Sequence, residues 1–257
     1  MNIHVVTLFP EILTGPLESS ILKRAQEKGH LKVFLHNIRD FARDPHRTVD
    51  DYMFGGGAGM VMKPEPIFEA VEYAQECIRK AQSDAMKTPC DAPVILLSPQ
   101  GKRFDQRQAR TLATSSGIIL ICGRYEGIDA RVETHLASMT LSIGDYVLTG
   151  GELPALVIID ALTRLLPGVL GSEDSAANDS FSDNLLEGPQ YTRPSVYRDI
   201  PVPNILLSGN HRAISEWRHR QALIWTHSRR PDLLTKAQLS EDDRTLLRYL
   251  DEPGHQA

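Results

Sequence analysis

Four apolar runs constrain this chain more than any other feature: Ile3-His4-Val5-Val6-Thr7-Leu8-Phe9, Leu31 to Ile38, Pro93-Val94-Ile95-Leu96-Leu97 and Ile118-Ile119-Leu120-Ile121-Cys122. They are continuous rather than alternating, the pattern of strands buried on both faces. Helical spacing lies between them, at Ser19 to Lys28 and at Asp105 to Ser115. Buried strands separated by helices predict a parallel α/β sheet covered on both sides. Ligands bind such sheets at the carboxyl ends of strands. The last two runs stop there in polar or glycine-containing turns, Ser-Pro-Gln-Gly at 98–101 and Cys-Gly-Arg-Tyr-Glu-Gly at 122–127.

Ile128, Val132, His135 and Leu136 share one helical face, and Met139 to Ile143 is strand-like. After the glycine loop Gly144 to Gly151, Leu153 to Leu166 is expected to be an apolar helix, with Pro154 tolerated in its first turn and Pro167-Gly168 ending it. A first domain is therefore expected over 1–170. Residues 171–188 are small, polar and acidic, which is linker composition. A smaller, mainly helical domain is expected over 189–257.

With 257 residues, 41% of them hydrophobic, the chain can bury a substantial core. No run approaches the roughly 20 apolar residues of a membrane span, and the first strand lacks a basic leader, so a cytoplasmic location is expected. Cys77, Cys90 and Cys122 form no CxxC pair and have no His at zinc spacing, which points away from a disulfide framework or a metal site. A net charge of -5 argues against non-specific coating of nucleic acid. A local basic face remains: Arg212, Arg218, Arg220, Arg229 and Arg230 stand against Glu216 alone between His211 and Arg230. In that helix Ile214, Trp217, Gln221 and Ile224 form a packing stripe, which leaves Arg212, His219 and Arg220 for phosphate.

Two glycine segments can build a backbone pocket. Gly55-Gly56-Gly57-Ala58-Gly59 fits neither a dinucleotide fingerprint nor a P-loop, and taken alone it is better explained as a flexible surface loop. Ile143 to Glu152 combines three glycines with apolar neighbours and suits a planar heterocycle held by main chain; a helix-start turn is the alternative. Arg164, a charge in an apolar helix, is costly to bury unless paired or functional. Asp179 and Asp183 are, on composition, solvated linker acids.

Val6 to Pro10, Asp50-Asp51, GGGAGM at 55–60, LSPQG at 97–101, CGRYEGID at 122–129, IGDYVLTGGELPA at 143–155 and YTRP at 191–194 together, in this order, closely resemble the bacterial tRNA (guanine-N1-)-methyltransferases. The resemblance covers nearly the whole chain. It implies a SPOUT-type parallel sheet with a deep trefoil knot, a small helical C-terminal domain and a homodimer with composite sites. Periodicity alone would select an unknotted sheet. The implied reaction is S-adenosylmethionine-dependent methylation of N1 of the guanosine just 3′ of the anticodon, position 37 of tRNA.

On that resemblance, Leu97, Ser98, Pro99, Gln100, Gly123, Tyr125, Glu126, Ile143, Gly144, Asp145, Tyr146, Val147, Leu148, Gly150 and Gly151 hold the methyl donor. Asp179 matches the general base and Arg164 the arginine facing the guanine. Gly59, Ser180 and Arg193, with Arg212, Arg220 and Arg230 of the basic face, are expected to contact tRNA. The chain departs from the family at Ala58 (usually Pro), at Asn178 (usually an acid), and at Gly188 and Gln190, where Cys and His are common; 81–92 is an insertion of surface character. None of these removes a catalytic group. The resemblance also implies Mg²⁺, for which no dedicated all-protein site is evident. Two rivals, a related methyltransferase acting on ribose or another base and a non-catalytic RNA binder, lack a reason to keep both GDYVLTGGELP and Asp179.

Overall fold

The computed structural model describes residues 1–83, 92–171 and 179–252, and its chain divides after Gly171 into two compact units. In the first, the opening apolar run forms β1 (Asn2–Thr7), followed by α1 (Glu11–Leu17), α2 (Ser20–Glu27) and β2 (Lys32–Asn37). An antiparallel pair, β3 (Asp50–Tyr52) and β4 (Met60–Met62), precedes the long helix α3 (Pro64–Ser83). Then come β5 (Val94–Arg103), α4 (Gln106–Ala113), β6 (Gly117–Cys122), α5 (Ala130–His135), β7 (Met139–Ser142) and α6 (Glu152–Thr163). Asp105 and Asp129 start α4 and α5 by accepting from the N–H groups of Gln108 and Arg131, at 2.8 and 2.9 Å.

The five long strands make one parallel sheet in the order β2-β1-β6-β5-β7. Side chains leave a strand on alternate faces, and here both faces are apolar. Ile118, Leu120 and Cys122 pack with α1, α2, α4 and α6, while Ile119 and Ile121 pack with α3 and α5. All are fully buried. This explains why the sequence runs are continuous.

Two elements depart from the sequence expectation. β5 does not stop at Leu97: the chain bulges through Ser98 to Gly101, then Lys102 and Arg103 resume pairing with Leu141 and Ser142 of β7. A Cβ at Gly101 would lie 2.5 Å from the Leu141 nitrogen, so the bulge closes only around glycine. α6 ends at Thr163 rather than Leu166, because Leu165 and Leu166 bond three residues back, to Leu162 and Thr163, and tighten the last turn.

The second unit is described from Asp179 to Glu252. It holds the pair β8 (Val196–Tyr197) and β9 (Ile200–Pro201), then α7 (Asn204–Leu207), α8 (His211–Arg229), α9 (Pro231–Leu234) and α10 (Glu241–Asp251). His219 and His227 of α8 each place Nε2 2.8 Å from a carboxylate of α10, Asp243 and Asp251. Both members of the second pair lie eight residues beyond the first, so α8 and α10 run side by side in the same direction. His219 is thus tied to a carboxylate rather than left for phosphate. The buried face of α8 is carried by Leu223 and Thr226, not by the Ile214, Trp217, Gln221 and Ile224 stripe, which is only half-buried.

On the α3 face of the first unit, β1 and β2 bring His4 Nδ1 within 2.8 Å of His36 Nε2, with the rings stacked 5.0 Å apart. Phe34 stacks on His4, and Tyr73 of α3 meets His36 edge-on. Burial, then the neighbouring His36, lowers His4 from its ordinary 6.5 to about 4; burial lowers His36 as well. A depressed histidine pKa means the unfolded chain binds more protons between the two values. The pair's stabilisation is therefore complete above about pH 6.5 and is lost as pH falls towards about 4. Urea midpoints measured across that window should fall with pH, and His4→Leu should flatten the slope.

Candidate active site

The carboxyl ends of β5, β6 and β7 open onto one cavity of about 290 Å³. Three segments line it: the bulge from Leu97 to Gln100, the turn from Gly123 to Ile128, and the loop from Ile143 to Gly151. Of the residues expected to hold a small ligand, Leu97, Ser98, Pro99, Gln100, Gly123, Tyr125, Glu126, Ile143, Gly144, Tyr146, Val147, Leu148, Gly150 and Gly151 all face this space; Asp145 does not line it. Strand order therefore brings together segments that are far apart in sequence.

The glycines are required by crowding. A Cβ on Gly151 would sit 2.6 Å from the Cys122 Cα, and one on Gly144 would sit 2.5 Å from the Tyr146 ring. A Cβ on Gly150 would strike the Arg124 side chain. The Gly151 N–H donates to the Gly123 carbonyl at 3.0 Å, so the loop leaving β7 is fastened to the end of β6. Tyr125, at φ 58°, makes the sharp turn that follows β6.

Beneath the loop lies a charged cluster that sequence reasoning missed. Arg124 spans from the turn to the loop: Nη1 donates to the Thr149 carbonyl at 3.2 Å, and Nη2 lies 2.9 Å from Glu152 Oε2. Glu152, at the start of α6, is 1% exposed and accepts from the Thr7 hydroxyl at 2.7 Å. The guanidinium also sits 4.7 Å from the centre of the Phe9 ring. One arginine thus ties β1, the end of β6, the loop and α6 together. Burial, then the Glu152 carboxylate, holds the adjacent Cys122 thiol well above its ordinary pKa, so it stays protonated and inert.

The second wall of the turn is the β3–β4 pair. The Glu126 N–H donates to the Met60 carbonyl at 3.0 Å, the Met62 N–H donates to the Gly127 carbonyl at 2.9 Å, and the Asp129 N–H donates to the Met62 carbonyl at 3.0 Å. Gly59, at φ 84°, packs directly against the Glu126 side chain.

This geometry sits in a chain whose residues 1–236 match the family model for tRNA (Guanine-1)-methyltransferase, TrmD. The chain belongs to that family. It is 56% identical to the tRNA (guanine-N(1)-)-methyltransferase of Moorella thermoacetica, over 98% of this chain and 96% of that one. With the proteins of the same name from Dehalococcoides mccartyi strain 195 and Geotalea uraniireducens, identity is 55% and 52%; the alignments cover 96% and 97% of this chain and the same shares of theirs.

The remaining residues of family interest lie outside the cavity lining. Arg164 follows the last residue of α6 and is half-buried, its N–H bonded to the Asp160 carbonyl. Asp179 and Ser180 stand at the start of the described part of the second unit, on a closed turn: the Ser182 N–H donates to the Asp179 carbonyl, the Phe181 N–H to the Leu185 carbonyl and the Glu187 N–H to Ser180 Oγ. The Leu186 N–H donates to Thr226 Oγ1 of α8 at 2.8 Å. From Asp179 to Gly188, then, the stretch of linker composition is anchored on the helices that follow it. Arg193 and Arg220 are exposed. Arg212 pairs with Glu216 at 2.9 Å and Arg230 with Asp232 at 2.7 Å, both near the surface. Asn178 and Cys90, and residues 84–91 of the insertion, lie outside the described residues.

Glu152→Gln removes the charge that faces Arg124 while keeping the acceptor for Thr7. Because Arg124 retains a little solvent contact, the expected loss of stability is about 2–4 kcal/mol, slightly below that for breaking a fully buried pair. Urea denaturation measures it. Glu133→Gln, at an exposed carboxylate on α5, should cost less than about 1 kcal/mol.

Proposed function

We propose that this chain methylates N1 of the guanosine just 3′ of the anticodon in tRNA, using S-adenosylmethionine. The observation that carries the reading is the glycine-crowded loop from Ile143 to Gly151, folded over the carboxyl ends of three parallel strands in a member of this family. The donor set fits. The cavity lies near the lower end of the roughly 300–1,000 Å³ usual for small-molecule pockets. Its loop presents main chain where side chains are excluded, and Pro99, Tyr125, Glu126 and Ile128 supply walls. The main chain of Ile143, Gly144, Tyr146, Leu148 and Gly150 would hold the base and ribose.

When bound, S-adenosylmethionine supplies an already activated sulfonium methyl group. What the protein must add concerns the guanine, whose N1 carries a proton and is a poor nucleophile. Asp179 takes that proton as general base, and Arg164 neutralises negative charge that develops on O6. The closed turn from Asp179 to Glu187 suits a base that must be presented at a fixed angle. Ser180 Oγ, already accepting from Glu187, keeps its own hydrogen to donate to RNA. Gly59, Arg193, Arg212, Arg220 and Arg230 complete the RNA contact. Arg212 and Arg230 can exchange their exposed carboxylate partners for phosphate at little cost.

The same reading includes the trefoil knot and the homodimer. β5 lies between β6 and β7, so the loop from β7 passes the end of β5 to fasten on the end of β6, as a threaded path requires. Leu153 and Val157, one turn apart on the exposed side of α6, are 54% and 47% exposed, an apolar pair that a second copy would bury. Among the described residues no group of three or more His, Cys, Asp or Glu side chains is placed to hold a metal, so no step is assigned to Mg²⁺. No helix among them is long and apolar enough to cross a membrane.

Digestion of tRNA treated with the protein and S-adenosylmethionine should yield 1-methylguanosine by mass spectrometry; a 2′-O-methylated or differently methylated product would refute the reading. In single-turnover assays, Asp179→Asn should slow transfer by roughly 10²–10⁴-fold with donor affinity unchanged. Asp183→Asn should do far less. Arg220→Ala should weaken tRNA binding and flatten its dependence on salt.

A further inference from the structure

The β3–β4 pair ends in a loop that its root explains only in part. At the root, Met62 is fully buried, its sulfur accepts from the Arg124 N–H at 3.1 Å, and Met60 and Met62 are bonded to the turn that walls the cavity. Towards the tip, Phe54 is 100% exposed and Tyr52 is 80% exposed. Four glycines follow, Gly55, Gly56, Gly57 and Gly59, all at positive φ. A Cβ at Gly55 or Gly56 would meet nothing, so these two serve backbone shape alone. They turn the seven-residue connection at whose start Phe54 stands clear of the protein.

Scattered exposed apolar residues are ordinary. A fully solvated phenylalanine two residues from a solvated tyrosine, on a hairpin bolted to the wall of the active cavity, calls for a partner. The flanking charges specify its kind. Asp50 and Asp51 precede the aromatics, and Asp51 Oδ1 accepts from the Tyr52 N–H. Carboxylates repel phosphate, so the tip does not suit a nucleic-acid backbone. An uncharged aromatic face suits a nucleobase, and a base presented for chemistry on its ring leaves its neighbours unstacked.

We propose that Phe54, with Tyr52 beside it, is a stacking platform for an unpaired nucleobase of the RNA next to the guanosine being methylated. The platform is a positioning device: it fixes the register in which the target base reaches the cavity and takes no part in proton or methyl transfer. This rests on the proposed RNA substrate.

The test compares Phe54→Ala, Phe54→Leu and Phe54→Trp as full-length protein, with a tRNA transcript carrying guanosine 3′ of the anticodon. Phe54→Ala should weaken tRNA binding by roughly 5- to 150-fold, the range for loss of one base stack. The slope of affinity against salt should stay unchanged, because no phosphate contact is lost. Phe54→Trp should restore binding and Phe54→Leu should not, while S-adenosylmethionine affinity remains that of the wild type in all three. Full rescue by leucine, a flattened salt slope, or wild-type binding by Phe54→Ala would overturn the proposal. So would altered sedimentation of the RNA-free protein, which would assign the aromatic tip to contact between copies. If the wild-type protein itself does not methylate tRNA, the functional reading fails first; if it does and Phe54→Ala is unaffected, only the platform fails.

Discussion

A buried carboxylate is an expensive way to begin a helix. Glu152 bears that cost because its two oxygens serve two parts of the chain: one accepts from Thr7 on the first strand, and the other faces Arg124 at the end of β6. Arg124 in turn reaches the Thr149 carbonyl, so the loop over the cavity is held from below by a charged brace. The surrounding apolar core reduces solvent competition and strengthens each contact, and it also makes loss of either partner costly. Loop position, helix start and strand ends are consequently one mechanical unit.

The sheet supplies what this brace cannot. Parallel strands with apolar side chains on both faces leave their polar groups concentrated at the ends, and in this chain three ends converge. β5 contributes by departing from regularity, since the bulge from Ser98 to Gly101 bends a polar segment into the cavity without ending the strand. The second unit follows another logic: α8 and α10 are fastened by two histidine–aspartate contacts, and the turn that holds Asp179 is fastened to α8 through Thr226.

Much of this was legible in the sequence. The four apolar runs became strands, and the turns that follow two of them fell at strand ends, because both signals are local; that 143–151 joins 97–100 and 123–126 at one cavity was expected only from the family resemblance, since strand order carries no local signal. What stayed hidden depends on distance in the chain. Thr7 and Glu152 are 145 residues apart, and nothing local marks Glu152 as buried. The rest of β5 was missed because Ser-Pro-Gln-Gly signals a turn, and only the pairing of Lys102 and Arg103 with β7 shows that the strand resumes. His219 was read as a phosphate ligand because its partner, Asp243, lies on another helix 24 residues away. The Arg212–Glu216 pair, at helical spacing, could have been foreseen.

The crowding around Gly144, Gly150 and Gly151 has a consequence for how this site tolerates change. A pocket made largely of side chains can drift one residue at a time, and a competing small molecule can be evaded by altering one of them. Here the lining loop is mostly peptide groups whose positions are set by neighbours underneath, and its glycines cannot be enlarged without displacing Cys122, Arg124 or the Tyr146 ring. Evasion by substitution is therefore pushed outward to Tyr146, Val147 and Leu148, the exposed side chains at the rim, while the floor of the pocket stays the same as long as the protein folds.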